Sequence, residues 1–159
     1  MKKKISTFIT IMISIIAVYT ILWFANSQLV FSKYETDGFQ ASLIGGGNSK
    51  LKEVNQYVLN VKKPDYGSFT GNLGITGQHS NISIIIWPSL LKDTKYSLII
   101  EDGKETSQFD VDENFSPLDK NNIVAQQLIE KYEDELQKQR KILHEAWGIF
   151  EDDVENEKN

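Results

Sequence analysis

Between Lys4 and Lys33 this chain carries no charged side chain, and Ile5 to Ala25 is a run of 21 mostly apolar residues directly after Met1-Lys2-Lys3-Lys4. At about 1.5 Å rise per residue such a run spans roughly 30 Å, the thickness of a bilayer's hydrocarbon core. Inside lipid it satisfies its own backbone hydrogen bonds only as a helix. As a core helix, apolar on every face, it would need a far larger protein around it. Whatever follows is therefore read as a tethered domain.

Three lysines precede the run and only Lys33 follows it closely, so the positive-inside bias puts the N-terminus in the cytoplasm and the bulk of the chain outside. Trp23 and Phe24 close the run where amphipathic rings sit among head groups, with Tyr19 about one turn deeper. The alternative is secretion after cleavage, because Ala25-Asn26-Ser27 is a small-x-small triplet of the kind signal peptidase accepts. The apolar stretch exceeds the usual signal length of about 7–15 residues, which favours an uncleaved anchor.

The chain has no cysteine, which excludes disulfides, thiol catalysis, lipidation at cysteine and cysteine-based metal sites. With its Met-Lys-Lys-Lys start, its apolar span and a composition rich in Lys, Asn and Ile, it resembles the small single-pass membrane proteins of low-GC Gram-positive bacteria. That resemblance implies a place at the cell envelope and brings no activity, cofactor or functional residue with it. Setting Lys2, Lys3 and Lys4 aside, 14 basic residues face 22 acidic ones, a balance near −8. Such a domain repels polyphosphate, so nucleic acid is not an expected partner.

After a polar stretch read as a stalk, the apolar period shortens to two. Phe39 to Ile44 reads as a strand ending in the Gly45-Gly46-Gly47-Asn48 turn, and Glu53 to Val61 as a second strand. Pro64-Asp65-Tyr66-Gly67 has turn chemistry, and the strand after it carries Phe69, Leu73 and Ile75. Ile82 to Trp87, β-branched and nearly continuous, suits a strand covered on both faces. Asp102-Gly103 predicts a two-residue hairpin turn joining Lys95–Glu101 to a strand through Phe109 and Val111. Six short strands with connections too short for helical crossovers predict a small antiparallel β-sandwich or barrel.

The rest reads as one long helix. It starts at Ser116-Pro117 or Asn122, and from Ala125 it meets no Gly or Pro until Gly148 stops it. Ile129, Tyr132, Leu136, Leu143, Ala146 and Phe150 follow coiled-coil spacing with Gln139 as the polar exception, while Leu128, Tyr132, Leu136, Leu143 and Trp147 form a stripe able to lie on the sheet. The expected segmentation is a basic terminus over 1–4, an anchor over 5–25, a stalk over 26–37, a β domain over 38–115, a C-terminal helix over 116–150 and an acidic tail over 151–159.

Motifs for chemistry are sparse. Asp110-Val111-Asp112-Glu113-Asn114 opens like an EF-hand loop, but Phe115 stands where the turn needs Gly and Asn121 where a bidentate Glu closes the cage. His79 and His144 have no zinc-ligand spacing, and no Gly-x-Ser-x-Gly elbow is present. The Gly71 to Gly77 segment lacks the Gly-Lys-Ser/Thr ending of a phosphate loop. Trp87 and Tyr66 could stack on a ligand, although Trp87 at the end of an apolar strand reads better as core.

The expectation is a membrane-anchored, extracytoplasmic, non-catalytic binding module at the cell envelope, with no cofactor and no metal site. Lipid is its partner through residues 5–25, and, if the C-terminal helix is not docked on the sheet, an envelope protein through its Leu136, Leu143 and Phe150; that helix could also self-associate weakly. The alternatives are a small envelope hydrolase using paired carboxylates and an immunity protein against a secreted toxin or phage.

Overall fold

The computed structural model describes residues 2–42, 48–90 and 92–150; the expected Gly45-Gly46-Gly47 turn and the tail over 151–159 lie outside the described residues. A long helix, α1 (Lys2–Asn26), leads into a π turn over Ser27–Phe31 and a 3₁₀ turn over Ser32–Tyr34. Seven strands follow: β1 (Gln40–Ser42), β2 (Ser49–Val54), β3 (Tyr57–Lys62), β4 (Asn72–Gly77), β5 (Ile82–Trp87), β6 (Lys95–Asp102) and β7 (Glu105–Val111). Two helices follow the strands among the described residues, α2 (Ile123–Lys131) and α3 (Glu133–Trp147).

The strands form one antiparallel sheet in sequence order, β1 to β7, so each strand pairs with the next. The architecture is α+β, but the sheet is open. It neither closes into a barrel nor meets a second sheet, because the place a second sheet would take is filled by helix. Leu59, Val61, Leu73, Ile75, Ile82, Ile84, Ile86, Leu98, Ile100 and Val111 share one face and are buried to 2% exposure or less. Against them pack Leu136, Gln139, Ile142 and Leu143 of α3 together with Val30, Phe31 and Tyr34. Among the described residues helices cover this face alone, and β5 is not enclosed on both sides: Ser83 and Ile85 on its other face are only half-buried.

The strand expected over Glu53–Val61 is two strands joined at Asn55-Gln56, both with positive φ (48° and 70°). In β2, Lys50 and Lys52 occupy the inward parity, where they reach Glu35 and the Asp37 carbonyl instead of the core. The β6–β7 turn lies one residue later than predicted, since Asp102 pairs with Glu105 and leaves Gly103-Lys104 as the loop. Only Gly103 has positive φ (71°), as a type II′ turn requires of its first central residue.

The single C-terminal helix is in fact two. Asn122 caps α2 by accepting from Ala125 N–H, and the chain leaves helical geometry at Tyr132 (φ −111°, ψ 20°) before α3 runs back to Gly148. Residues 26–34, read from sequence as stalk, continue α1 into the core, with Phe31 fully buried and Tyr34 nearly so.

By length and composition one described helix is apolar enough to span a membrane or to serve as a signal sequence, the stretch Thr7–Tyr34 with mean hydropathy 2.3 in its most apolar window and none of that window buried.

Candidate binding surfaces

Of the residues expected to face a partner, Leu136 and Leu143 lie inside the protein and Phe150 is half-buried. Leu136 and Leu143 are 1% and 0% exposed on the sheet. Phe150 packs on Tyr96 and Phe115 at ring-centroid distances of 5.5 and 5.2 Å. The coiled-coil spacing is a real pattern, but the surface that completes it is the chain's own sheet. Gln139, the polar exception, is fully buried and donates from Nε2 to the Ile82 carbonyl (2.9 Å) and the Ser80 hydroxyl (3.0 Å), which locks α3 to the start of β5. At the other end of α3 the Trp147 indole donates to the Tyr34 carbonyl at 3.0 Å.

Among the described residues no helix lies on the opposite face of the sheet. The strand register sets its side chains in rows: Leu51, Asn60, Gly74, Ile85, Ser97, Asp110 in one, and Glu53, Val58, Thr76, Ser83, Ile99, Gln108 beside it. Gly74 has no side chain to fill its place, and around it lies a shallow trough of about 420 Å³ walled by Leu51, Val58, Ile85 and Ile99. Thr76 donates to Ser83 at 2.9 Å, and Gln108 to Ser97 at 3.1 Å. Asn60 Oδ1 is shielded in the trough and accepts no hydrogen bond. A buried carbonyl oxygen without a donor is costly, about 1–3 kcal/mol, and an incoming N–H or O–H would recover part of that once the side chain turns outward to meet it. Trp87 shares parity with Ser83 and Ile85, so it lies on this open side and not in the core; Tyr66 stands apart from it against Trp23, so the two rings form no common stacking surface.

A second concavity, about 440 Å³, lies where β6 begins and β7 ends, among Asp93, Asp110, Asp112 and Glu113. Its loop is held by its own carboxylate: Asp112 Oδ1 accepts from the N–H groups of Asn114 (2.9 Å) and Ser116 (2.8 Å). Phe115, at the EF-hand glycine position, adopts φ 61° and turns into the core. Burial, followed by the Glu113 charge, pushes the Tyr96 hydroxyl above its ordinary range. Among the described residues no group of three or more His, Asp or Glu is placed to hold a metal ion. His79 is exposed in the β4–β5 turn, while His144 Nδ1 meets the Phe150 carbonyl at the end of α3.

The displaced carboxyls are structural. Burial raises Glu35, but hydrogen bonds and charge from Lys50 (2.8 Å) and Lys63 (3.0 Å) outweigh it and hold the group below its usual range. The Lys131 ammonium, 2.8 Å away, lowers Asp102.

A third surface joins the sheet to α1. The β3–β4 connection folds back on the helix, and its Asp65 and Phe69 carbonyls accept from the Trp23 indole (3.0 Å) and the Asn26 amide (3.1 Å). Tyr66 and Thr20 share a hydrogen bond of 3.2 Å, and edge-on ring pairs join Trp23 to Tyr66 and Tyr19 to Phe69. Nothing in the sequence reading brought these residues together, since the pairs are more than 40 positions apart.

The architecture is thus a single open antiparallel sheet, backed on one face by helices and continuous with an apolar N-terminal helix. Comparison with protein-family models, curated proteins and solved structures gives no match to this chain.

Proposed function

We propose that this protein is a membrane-anchored, non-catalytic binding module whose domain sits on the outer side of a cell membrane and engages an envelope partner through the open face of its sheet. The observation that carries the reading is the trough around Gly74, where the unbonded Asn60 carbonyl oxygen lies within an apolar border. An extended polar segment fits such a surface, with a donor for Asn60 and apolar groups for Leu51, Val58, Ile85 and Ile99. The hydrolase reading needs a carboxyl held protonated near neutrality, whereas the displaced carboxyls among the described residues, Glu35 and Asp102, are both displaced downward. An immunity role against a secreted toxin or phage is a special case of the same binding reading, in which the partner is the toxin.

The test is crosslinking capture from intact cells with full-length protein, comparing wild type with Thr76→Arg and Ser83→Arg. Both side chains point from the open face, so thermal stability should hold while the crosslinked species is lost. Undiminished capture by both variants would sink the assignment of this face. Removing residues 117–159 is no substitute, because it strips Leu136, Ile142 and Leu143 from the core.

A further inference from the structure

We infer that the β3–β4 connection, with Tyr66 and Phe69 at its tip, is seated in the outer leaflet of the bilayer as a second, non-spanning membrane contact. The inference rests on α1 spanning the membrane and adds to it a lipid-facing site on the domain.

Depth follows from helix geometry. With the apolar run Ile5–Ala25 centred in the bilayer, Ile15 marks the midplane and Thr20, five residues on, lies about 7.5 Å above it. The hydrocarbon boundary is about 15 Å from the midplane, so the Tyr66 hydroxyl bound to Thr20 and the Phe69 ring against Tyr19 fall about 7–9 Å beneath that boundary. Sliding the helix outward until Thr20 reaches the boundary would draw Lys2 to Lys4 into hydrocarbon, because a core of roughly 30 Å takes about 20 residues. The tip therefore lies inside the boundary, by up to about 9 Å. In either placement its rings meet lipid.

The chemistry of the loop suits that depth. Tyr66 is 63% and Phe69 42% exposed, a cost in water that acyl chains remove. The two loop carbonyls that face α1 are already satisfied by Trp23 and Asn26, and Ser68 and Thr70 bond to each other, as backbone in a region poor in water requires. Trp23 and Tyr66 are the residue types enriched at the membrane interface. The antiparallel order also brings the β5–β6 connection to this end of the sheet, and it carries Leu90, 54% exposed.

Because the chain has no cysteine, single Tyr66→Cys, Phe69→Cys, Ile13→Cys and Lys104→Cys variants of the full-length protein can each take one nitroxide label without background. Reconstituted in phosphatidylcholine–phosphatidylglycerol vesicles, each is measured for collision with oxygen, which concentrates in lipid, and with a water-soluble nickel chelate. Ile13 reports the span itself, and Lys104, exposed in the β6–β7 turn at the far end of the sheet, reports water. The expected result is oxygen-dominated collision at 13, 66 and 69 and nickel-dominated collision at 104. Two loop positions are used so that a label disturbing the Thr20 contact leaves the Tyr19 contact intact. Lipid-like signal at 13 with water-like signal at 66 and 69 overturns the inference while the anchor stands. Labels at 66 and 69 shielded from both reagents also overturn it, and show another protein or a second copy covering the loop. Nickel-dominated collision at 13 overturns the anchor itself, and the inference with it.

Discussion

Replacing Phe31 by alanine separates a flexible tether from a built-in structural segment. The ring is fully buried between the sheet and the π turn, so tightly that a methyl group on Gly71 would come within 2.7 Å of its Cζ. Truncating a phenylalanine in such a place costs about 3–5 kcal/mol, made up of lost transfer energy and an unfilled cavity. For a folded part of roughly 125 residues, one kcal/mol moves the melting point by about 3–5 °C, so the expected fall is on the order of 10–20 °C. Leu29, two residues earlier and 66% exposed, is the control, and its alanine variant should melt within about 2 °C of wild type, as exposed substitutions do. The assay is tryptophan emission during heating in nanodiscs, read chiefly from Trp147, whose ring packs on Tyr34 at 5.8 Å and so loses its surroundings when this corner opens. If residues 26–34 were a tether, both substitutions would be silent. A Phe31→Ala protein melting within 2 °C of wild type would refute the reasoning.

Gly71→Ala should lower stability by about 1–3 kcal/mol or more in the same assay, because its methyl would stand 2.3 Å from the Lys62 carbonyl oxygen, which β-pairing holds in place. Adding Phe31→Leu relieves only the ring contact, so a double variant restored to wild-type stability would contradict the geometry. Glu35 has its folded pKa below the ordinary 4.5, so its stabilisation is present above that value and is lost as pH falls through the folded pKa. Denaturant midpoints of wild type and Glu35→Gln should therefore differ at neutral pH and converge in acid, and a constant gap down to the acid transition would exclude the lysine pairing. Tyr57 moves the other way: burial, then its hydrogen bond to Glu135 at 2.8 Å, pushes its hydroxyl up to about 12. Its stabilisation holds below the ordinary 10 and is lost as pH rises toward about 12, so the difference from Tyr57→Phe should vanish over that range of an alkaline titration.

Where a local signal was strong, sequence alone sufficed. Ile82 to Trp87 is β5 to the residue, Asn122 caps a helix and Gly148 ends one, because each depends on neighbours in the chain. β2 was missed for a physical reason: its inward positions hold Lys50 and Lys52, which satisfy themselves on Glu35 and a carbonyl, so the apolar alternation that marks a strand is absent. The Asn55-Gln56 turn was missed because positive φ at Gln56 comes without the glycine that usually announces it. In the stretch after Ala25, polar Gln28, Ser32 and Lys33 hid one buried side, Val30, Phe31 and Tyr34, whose spacing of one and three was a helical signal left unused. The α3 stripe and its place on the sheet were legible as one of two options, and the fold decides between them, since a period names a face and not what covers it. The trough around Gly74 had no sequence signature at all, as it is assembled from five strands by register.

The junction between helix and sheet also bears on whether the N-terminal segment is kept. The small-x-small triplet Ala25-Asn26-Ser27 lies within continuous helix, with Asn26 and Ser27 buried and the Asn26 amide donating to the Phe69 carbonyl. Cleavage after the triplet would remove Tyr19, Thr20, Trp23 and Asn26 together, leaving the Asp65 and Phe69 carbonyls without their donors and the Tyr66 and Phe69 rings without their partners. A removable leader has no reason to be packed into the product, whereas a permanent anchor gains a fixed angle to its domain from the same contacts. Intact mass of the protein extracted from membranes should therefore include residues 1–27, and a mature chain beginning at Gln28 would show that these contacts do not protect the junction. With the anchor retained, the same contacts would hold the proposed binding face at one height and heading above the bilayer, so that a partner would meet it by diffusing in two dimensions.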